Sequence, residues 1–417
     1  MPNPTDNKVL AFGGLRSLRR RDVFVTGAAA LGAGLTGFPA ILRAQPSLVK
    51  IGLVHPVSGF IAFSGSQCRA GAQMAIADIN AAGGIKSLGG AKLEALLGDS
   101  QGRPEVGAAE VAKMVEAGAH GIVAGFSSSL SLATSQAAAR TNTPHVVDTA
   151  VADEIVTRGL RNTFRLSPGH SNIVMTAVAN LDMINKSAGS PAKTAMIIHE
   201  ESATGSGTAK LLSEQLPKIG IEILGIIKHA NPTRDFTNIA LQVKSKRPDL
   251  VIPGNFYNEY VLLARTLRQQ QVSLMAIYSV LGGAASSPLF VKDFPQVAER
   301  IIDCNHWFNP KSSLSQRRKK AAEDKGLIYT YEMFVTYNAV AFLADAIERA
   351  GSTAKEAVNA ALASSTWDQH GMPYGPTRMQ NGQNTGAQAI NTQVLKGEIE
   401  AIYPKEFATA QTVFPTM

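Results

Sequence analysis

Residues with the means to do chemistry concentrate in the stretch 121–136, GIVAGFSSSLSLATSQ. An apolar run, Ile122-Val123-Ala124, stops at Gly125. Ser127, Ser128, Ser129 and Ser131 then lead into an alanine-rich, helix-like segment at 133–140. Where a strand hands over to a helix, the first backbone N–H groups have no partner inside the helix, and the helix dipole adds partial positive charge. Serine hydroxyls add donors, so this stretch can hold a carboxylate or another anion without lysine or arginine. The competing reading is structural: one serine caps the helix and the others face water. Candidates for bond-making chemistry are thin. His199-Glu200-Glu201-Ser202-Ala203 lacks the second histidine of H-E-x-x-H. Gly125-Phe126-Ser127-Ser128-Ser129 lacks the second glycine of G-x-S-x-G. His55, His145 and His170 have no acid or nucleophile at a fixed motif spacing and read as structural. The cysteines are Cys68 and Cys304, with no CxxC and no His/Cys cluster, so no metal and no cofactor is expected. Two separate, partly buried thiols are expected, although an oxidising compartment would permit a disulfide.

The elements that must position these residues alternate. Val49 to Val54 is a strand candidate, 71–82 a helix ending at Gly83-Gly84, and 94–98 a second strand. Pro104-Glu105 opens a helix, with proline and an acid in its first turn. Ala108, Val111, Ala112 and Val115 give that helix an apolar face at i, i+3, i+4, i+7. Strands follow at 122–124 and 146–147. The pattern pauses at 164–169 and restarts, with strands at 195–198, 221–227, 250–252 and 275–278. Helices at 208–219, 236–244 and 258–269 lie between or after them. The chain is expected to cross back near 301–303, before a long helix at 331–350 and a Gly/Asn/Gln-rich tail from Gly375. Alternation of this kind implies right-handed βαβ units and parallel sheets. There are two consecutive α/β units, joined near 167–169. Ligands of such sheets bind beyond the carboxyl ends of the strands. With two units side by side, those ends can face each other across a cleft that closes about a hinge.

With 45% hydrophobic and 17% charged residues, the 417-residue chain is globular and not disordered. Its first 44 residues read as an export signal: SLRRRDVFV at 17–25, an apolar Gly/Ala-rich stretch to Leu42, and Ala44 as the cleavage residue. Arg20-Arg21 before Asp22 suggests the twin-arginine route, although Val23 and Leu42 depart from the usual pattern. The alternative is a membrane anchor, for which Gly27, Gly32, Gly34, Gly37 and Pro39 make a poor span. The signal holds six of the 40 Lys/Arg and two of the 32 Asp/Glu, leaving the mature chain at a net +4. That charge is too mild and scattered for nucleic acid. The dense basic run at 316–320 reads as a solvated helix face, with a patch for a partner as the alternative.

Several segments agree in order with one known family. VKIGLVHPVSGFIAFSG, GAQMAIADINAAGGI, Asp99-Ser100 with Pro104-Glu105, and VADEIVTRGLRNTFRLSP together resemble the leucine/isoleucine/valine-binding proteins. These are extracytoplasmic solute-binding proteins of ABC importers. The resemblance runs from about Leu48 to the C-terminus and is strongest in the first lobe. It implies the type I periplasmic binding fold: two doubly wound parallel-sheet α/β lobes joined by a multi-strand hinge of three crossing strands. The expected division is 45–168 for the first segment of lobe one, 169–302 for lobe two, 303–375 for the return to lobe one, and 376–417 on lobe two or the hinge.

The resemblance also implies site residues. Serine-type residues of the family grip a ligand carboxylate, which carries over to Ser127 and Ser128, beside Phe126. A second loop, Asp148-Thr149-Ala150-Val151, supplies backbone and small polar groups through Asp148, Ala150 and Val151, and the threonine hydroxyl often used there is expected to be replaced. The departures concern the ligand. The aromatic before the first-loop glycine is replaced by Ser64, with Phe63 adjacent. The aromatic before the lobe-two glycine is replaced by Thr204. The acid that receives an α-ammonium falls at Leu281, and YSVLGGAASS offers none. A buried ammonium without a carboxylate would be costly, which weakens the case for an amino acid. Phe256 and Tyr257 keep an aromatic pair on the lobe-two wall. Tyr331 stands at a wall position, and Glu332 is a substitute cation partner or else a solvated acid at a helix start. The leading function is a periplasmic receptor that closes on a small carboxylate, amino acid or amide, first docked on lobe one, and serves an ABC importer permease, with a monomer expected. The alternative is a secreted sensor signalling to a membrane partner. Catalysis has the least support.

Overall fold

The computed structural model describes residues 48–416. The expected export signal, its arginine pair and the cleavage at Ala44 lie outside the described residues.

Apolar runs and amphipathic helices alternate as expected, and the runs become two seven-stranded sheets. The first holds β1 (Leu48–His55), β2 (Lys92–Asp99), β3 (Gly121–Ala124), β4 (His145–Val147) and β5 (Thr163–Arg165). The second holds β6 (Thr194–Glu200), β7 (Glu222–His229), β8 (Leu250–Gly254), β9 (Ala276–Val280) and β10 (Ile302–Asn305). The chain then adds β11 (Met379–Gln380) and β12 (Gln383–Asn384) to the first sheet. It ends by adding β13 (Ile390–Leu395) and β14 (Glu398–Tyr403) to the second. Strand orders are β11-β12-β5-β4-β3-β1-β2 and β14-β13-β10-β9-β8-β6-β7. Strands β1 to β5 pair parallel with one another, as do β6 to β10. In each sheet the first strand lies between the second and the third, so the order reverses there, and loops at such a switch point form a crevice. Three segments cross between the sheets, at 166–169, 306–312 and 385–389. The two-lobe architecture is the one expected.

Several boundaries differ from the sequence reading. The pause at 164–169 overlaps β5, which is too short to show a period. The crossing expected near 301–303 comes later, because Ile302, Asp303 and Cys304 pair with Tyr278, Ser279 and Val280 of β9. The tail divides: β12 joins β5 of lobe one through Gln383 and Arg165, so only β13 onward belongs to lobe two. Helices Ala62–Ala81, Ser128–Ala139 and Ala203–Gln215 all begin earlier than expected, the latter two because their first turns are mostly small and polar. The basic run lies on helix Ser313–Glu323, but Arg318 is not a solvated residue. Its Nη1 donates to Asn338 Oδ1 and to the His370 carbonyl, each at 2.8 Å, and its guanidinium lies 4.4 Å from the centre of the Tyr337 ring. Cys68 and Cys304 are free thiols and fully buried.

Candidate functional site

The turn after β3 is built on a buried carboxylate. Asp148 Oδ1 accepts the backbone N–H of Phe126 at 2.9 Å and that of Thr149 at 2.5 Å. Its Oδ2 lies 3.1 Å from His55 Nε2, and both side chains are fully buried. Arg69 Nε donates to His55 Nδ1 at 3.4 Å, so the histidine is neutral and offers its Nε2 proton to the acid. Burial alone would raise the Asp148 pKa, but the donors from His55, Phe126 and Thr149 together hold it below the usual carboxylate range. Phe126 adopts φ +77° and Gly125 φ +148°. A Cβ on Gly125 would collide with Ser131 and Asp148, so only glycine fits there. This strained corner delivers Ser127 and Ser128 to the start of helix Ser128–Ala139. Ser127 Oγ accepts the Leu130 N–H at 3.4 Å as its N-cap. Ser128 Oγ accepts the Ala152 N–H at 3.1 Å. Both hydroxyls act only as acceptors in these bonds, so each keeps a hydrogen to donate.

Lobe two presents a second helix start opposite the first. Ser202 caps helix Ala203–Gln215, and Glu200 at the end of β6 accepts from Ser202 N–H (2.5 Å), Ser202 Oγ (2.7 Å), Gly205 N–H (2.6 Å) and Asn231 Nδ2 (2.6 Å). The lobes are closed. Thr204 Oγ1 donates to Ser128 Oγ at 3.2 Å and accepts the Ser128 N–H at 3.3 Å. Phe63 packs on Tyr257 with ring centres 4.2 Å apart, and Phe126 meets Phe256 at 5.7 Å. Between the lobes lies a small cavity. Lobe one and the hinge contribute Phe126, Thr149, Val151, His306 and Tyr331, and lobe two contributes Glu200, Thr204, Asn255, Phe256 and Leu281 among others. Among the described residues, no lysine or arginine lines it. No group of described residues could hold a metal ion.

A family model described as "periplasmic binding protein" matches residues 48–398. The chain belongs to the periplasmic binding protein family. Among curated relatives, Leu/Ile/Val-binding protein homolog 7 of Brucella abortus is 27% identical over 382 residues, covering 88% of this chain and 94% of that protein. Two solved structures share the fold. The branched-chain amino acid transporter substrate-binding protein of Streptococcus pneumoniae, in complex with isoleucine, has a TM-score of 0.73 at 19% identity, covering 86% of this chain and 100% of that one. An ABC transporter solute-binding protein of R. palustris, in complex with benzoate, has a TM-score of 0.74 at 18% identity, covering 88% and 97%. The resemblance drawn from the sequence is borne out. This periplasmic binding protein belongs with ligand-binding proteins and not with enzymes.

The cavity of this periplasmic binding protein gathers six of the residues singled out from sequence: Phe126, Val151, Thr204, Phe256, Leu281 and Tyr331. The others stand behind or beside it. Neither Ser127 nor Ser128 lines the cavity: Ser128 meets its wall through Thr204, and Ser127 caps the helix beside it. Asp148 is the buried post under the turn. The Ala150 carbonyl accepts from Arg165 Nη1 at 3.3 Å, a fully buried arginine in β5 that also binds the Ala152 carbonyl and Gln383. Phe63 and Tyr257 form the aromatic pair across the lobes. Ser64 is buried within helix Ala62–Ala81 and neighbours Glu332. Glu332 is not a solvated helix-start acid. It is 1% exposed, and burial raises its pKa to about 7. Thr149 and Val151 of the second loop both line the cavity, and Thr149 Oγ1 donates to Asp148 Oδ1 at 3.4 Å. Sequence reasoning missed Glu200, Asn255 and His306 as wall residues. A usable signal existed: they end β6 or directly follow β8 and β10, at the carboxyl ends where such sheets bind ligands.

Proposed function

We propose that this protein is the periplasmic receptor of an ABC importer, which closes its lobes on a small polar carboxylate and presents the closed form to the permease. One observation carries the reading: two helix starts, at Ser128 and Ala203, face each other beside a cavity between the lobes that, among the described residues, has no lysine or arginine in its lining. Backbone N–H groups, helix dipoles and the uncommitted serine hydrogens then supply the donors for an anion. Phe126, Phe256, Val151 and Leu281 give the rest of the ligand an apolar surround. Export through the twin-arginine signal and a monomeric receptor belong to the same proposal. Titration calorimetry with carboxylates tests the anion site. Ser127→Ala combined with Ser128→Ala should weaken a carboxylate, each lost charge-assisted hydrogen bond costing about 1.5–3 kcal/mol. Unchanged affinity refutes the assignment. Delivery is tested by uptake of the bound solute in cells with and without this chain, and equal uptake refutes it.

A further inference from the structure

Two acceptors in the cavity wall have their hydrogen-bonding roles fixed from behind. His306 Nε2 lies 3.2 Å from the Thr149 carbonyl, which can only accept, so Nε2 carries the proton. Burial lowers the pKa of this ring to about 4, so it is neutral at neutral pH and Nδ1 is a lone pair. His306 is 1% exposed, and Nδ1 has no partner. Asn255 is oriented by the same logic. His229 Nδ1 lies 2.9 Å from the Ala230 carbonyl, so His229 Nε2 is the accepting nitrogen. Asn255 Nδ2 donates to it, and that choice points the amide oxygen the other way. Asn255 is 3% exposed, and its Oδ1 has no partner.

Glu200, the carboxylate in the same wall, is occupied by four donors, three from Ser202 and Gly205 in the loop that it organises and one from Asn231 after β7. The lobe-one helix start therefore offers hydrogens, whereas His306 on the hinge and Asn255 on lobe two offer lone pairs. A buried acceptor left unpaired is unfavourable, and a ligand that brings a hydrogen to it recovers that loss on binding. We infer that His306 and Asn255 are specificity-determining residues, which select a small carboxylate carrying a hydroxyl or ammonium donor over the same carboxylate without one. The inference rests on the carboxylate reading above. It also gives the position vacated at Leu281 a functional replacement, with two neutral lone pairs in place of an acid.

The test is titration calorimetry of the full chain with matched acids: propionate, lactate and alanine; 4-methylpentanoate, 2-hydroxy-4-methylpentanoate and leucine; 3-phenylpropionate, 3-phenyllactate and phenylalanine. In at least one series, the hydroxy or amino acid should bind about tenfold tighter than the plain acid, the effect of one buried hydrogen bond. The hydroxy and amino members of that series then show whether the donor is neutral or charged. His306→Phe should collapse the ratio within the series to below about threefold, and His306→Gln, which returns an acceptor oxygen, should restore part of it. If His306→Phe does not fold, the wild-type ratio and the glutamine variant still decide. A plain acid that binds as tightly as its partners, or a ratio that survives His306→Phe, overturns the inference and leaves the carboxylate reading standing. Absence of binding in all three series overturns that reading, and the inference with it.

Discussion

Replacing Glu332 by glutamine should make the protein more stable at pH 8 and leave it unchanged at pH 4.5. Glu332 is the second residue of helix Tyr331–Ala350 and is 1% exposed, with Oε1 unpartnered. Burial, only partly countered by Ser64, Thr330 and Tyr331, raises its pKa from the ordinary 4.5 to about 7. The sign follows from which form each state prefers. Below pH 4.5 the folded and unfolded chains are both protonated, and the site costs nothing. Between pH 4.5 and 7 the unfolded chain ionises while the fold resists, so stability falls as pH rises. Above pH 7 the loss levels off at about 3 kcal/mol, at about 1.4 kcal/mol per pKa unit. An amide of the same shape carries no charge and avoids that loss. Urea unfolding of wild type and Glu332→Gln at pH 4.5 and pH 8 measures the difference directly. A gain of about 3 kcal/mol at pH 8 would raise the thermal midpoint by about 4 °C in a chain of this size. Equal stabilities at pH 8, or a less stable variant there, would show that Glu332 is ionised and satisfied in the fold, and the burial argument would fail.

Two further perturbations address closure. Thr204→Val removes both hydrogen bonds to Ser128, about 1 kcal/mol in favour of the closed form. The ligand-free variant should show a larger radius of gyration by small-angle scattering, and an unchanged radius would mean that these bonds do not hold the lobes together. The Phe63–Tyr257 contact should give a coupling of about 0.5–1.5 kcal/mol in ligand affinity across a Phe63→Ala, Tyr257→Ala double-mutant cycle. Strictly additive effects would place the pair outside the closing interface.

The sequence was most legible where a period repeats. Helix Tyr331–Ala350 was read to its ends because its apolar face runs unbroken between Thr330, which caps it, and Gly351 in the left-handed conformation. The helix starts at Ser128 and Ala203 were misread for the reason that makes them interesting: a polar first turn shows no apolar period. Strand β5 and the β11–β12 hairpin are too short for any pattern to register. In the site, the aromatic and turn residues were visible through resemblance to a family. Asn255 and His306 were not, because one asparagine and one histidine carry no spacing. Two strands far apart in sequence, β8 and β10, bring them into one cavity wall.

The last strand pairs carry a consequence for how this chain is made. Lobe one lacks β11 and β12 until residue 384 has been synthesised, and lobe two lacks β13 and β14 until residue 403. Neither half can complete its sheet from a contiguous stretch, and the two are finished close together, when β12 ends at residue 384 and β14 at residue 403. Strand β5 must find its neighbour β12 across some 200 residues, a separation that slows folding. Such a chain has no early-finished domain to shelter the other. It stays open to chaperones and proteases as one unit until its final strands close both lobes.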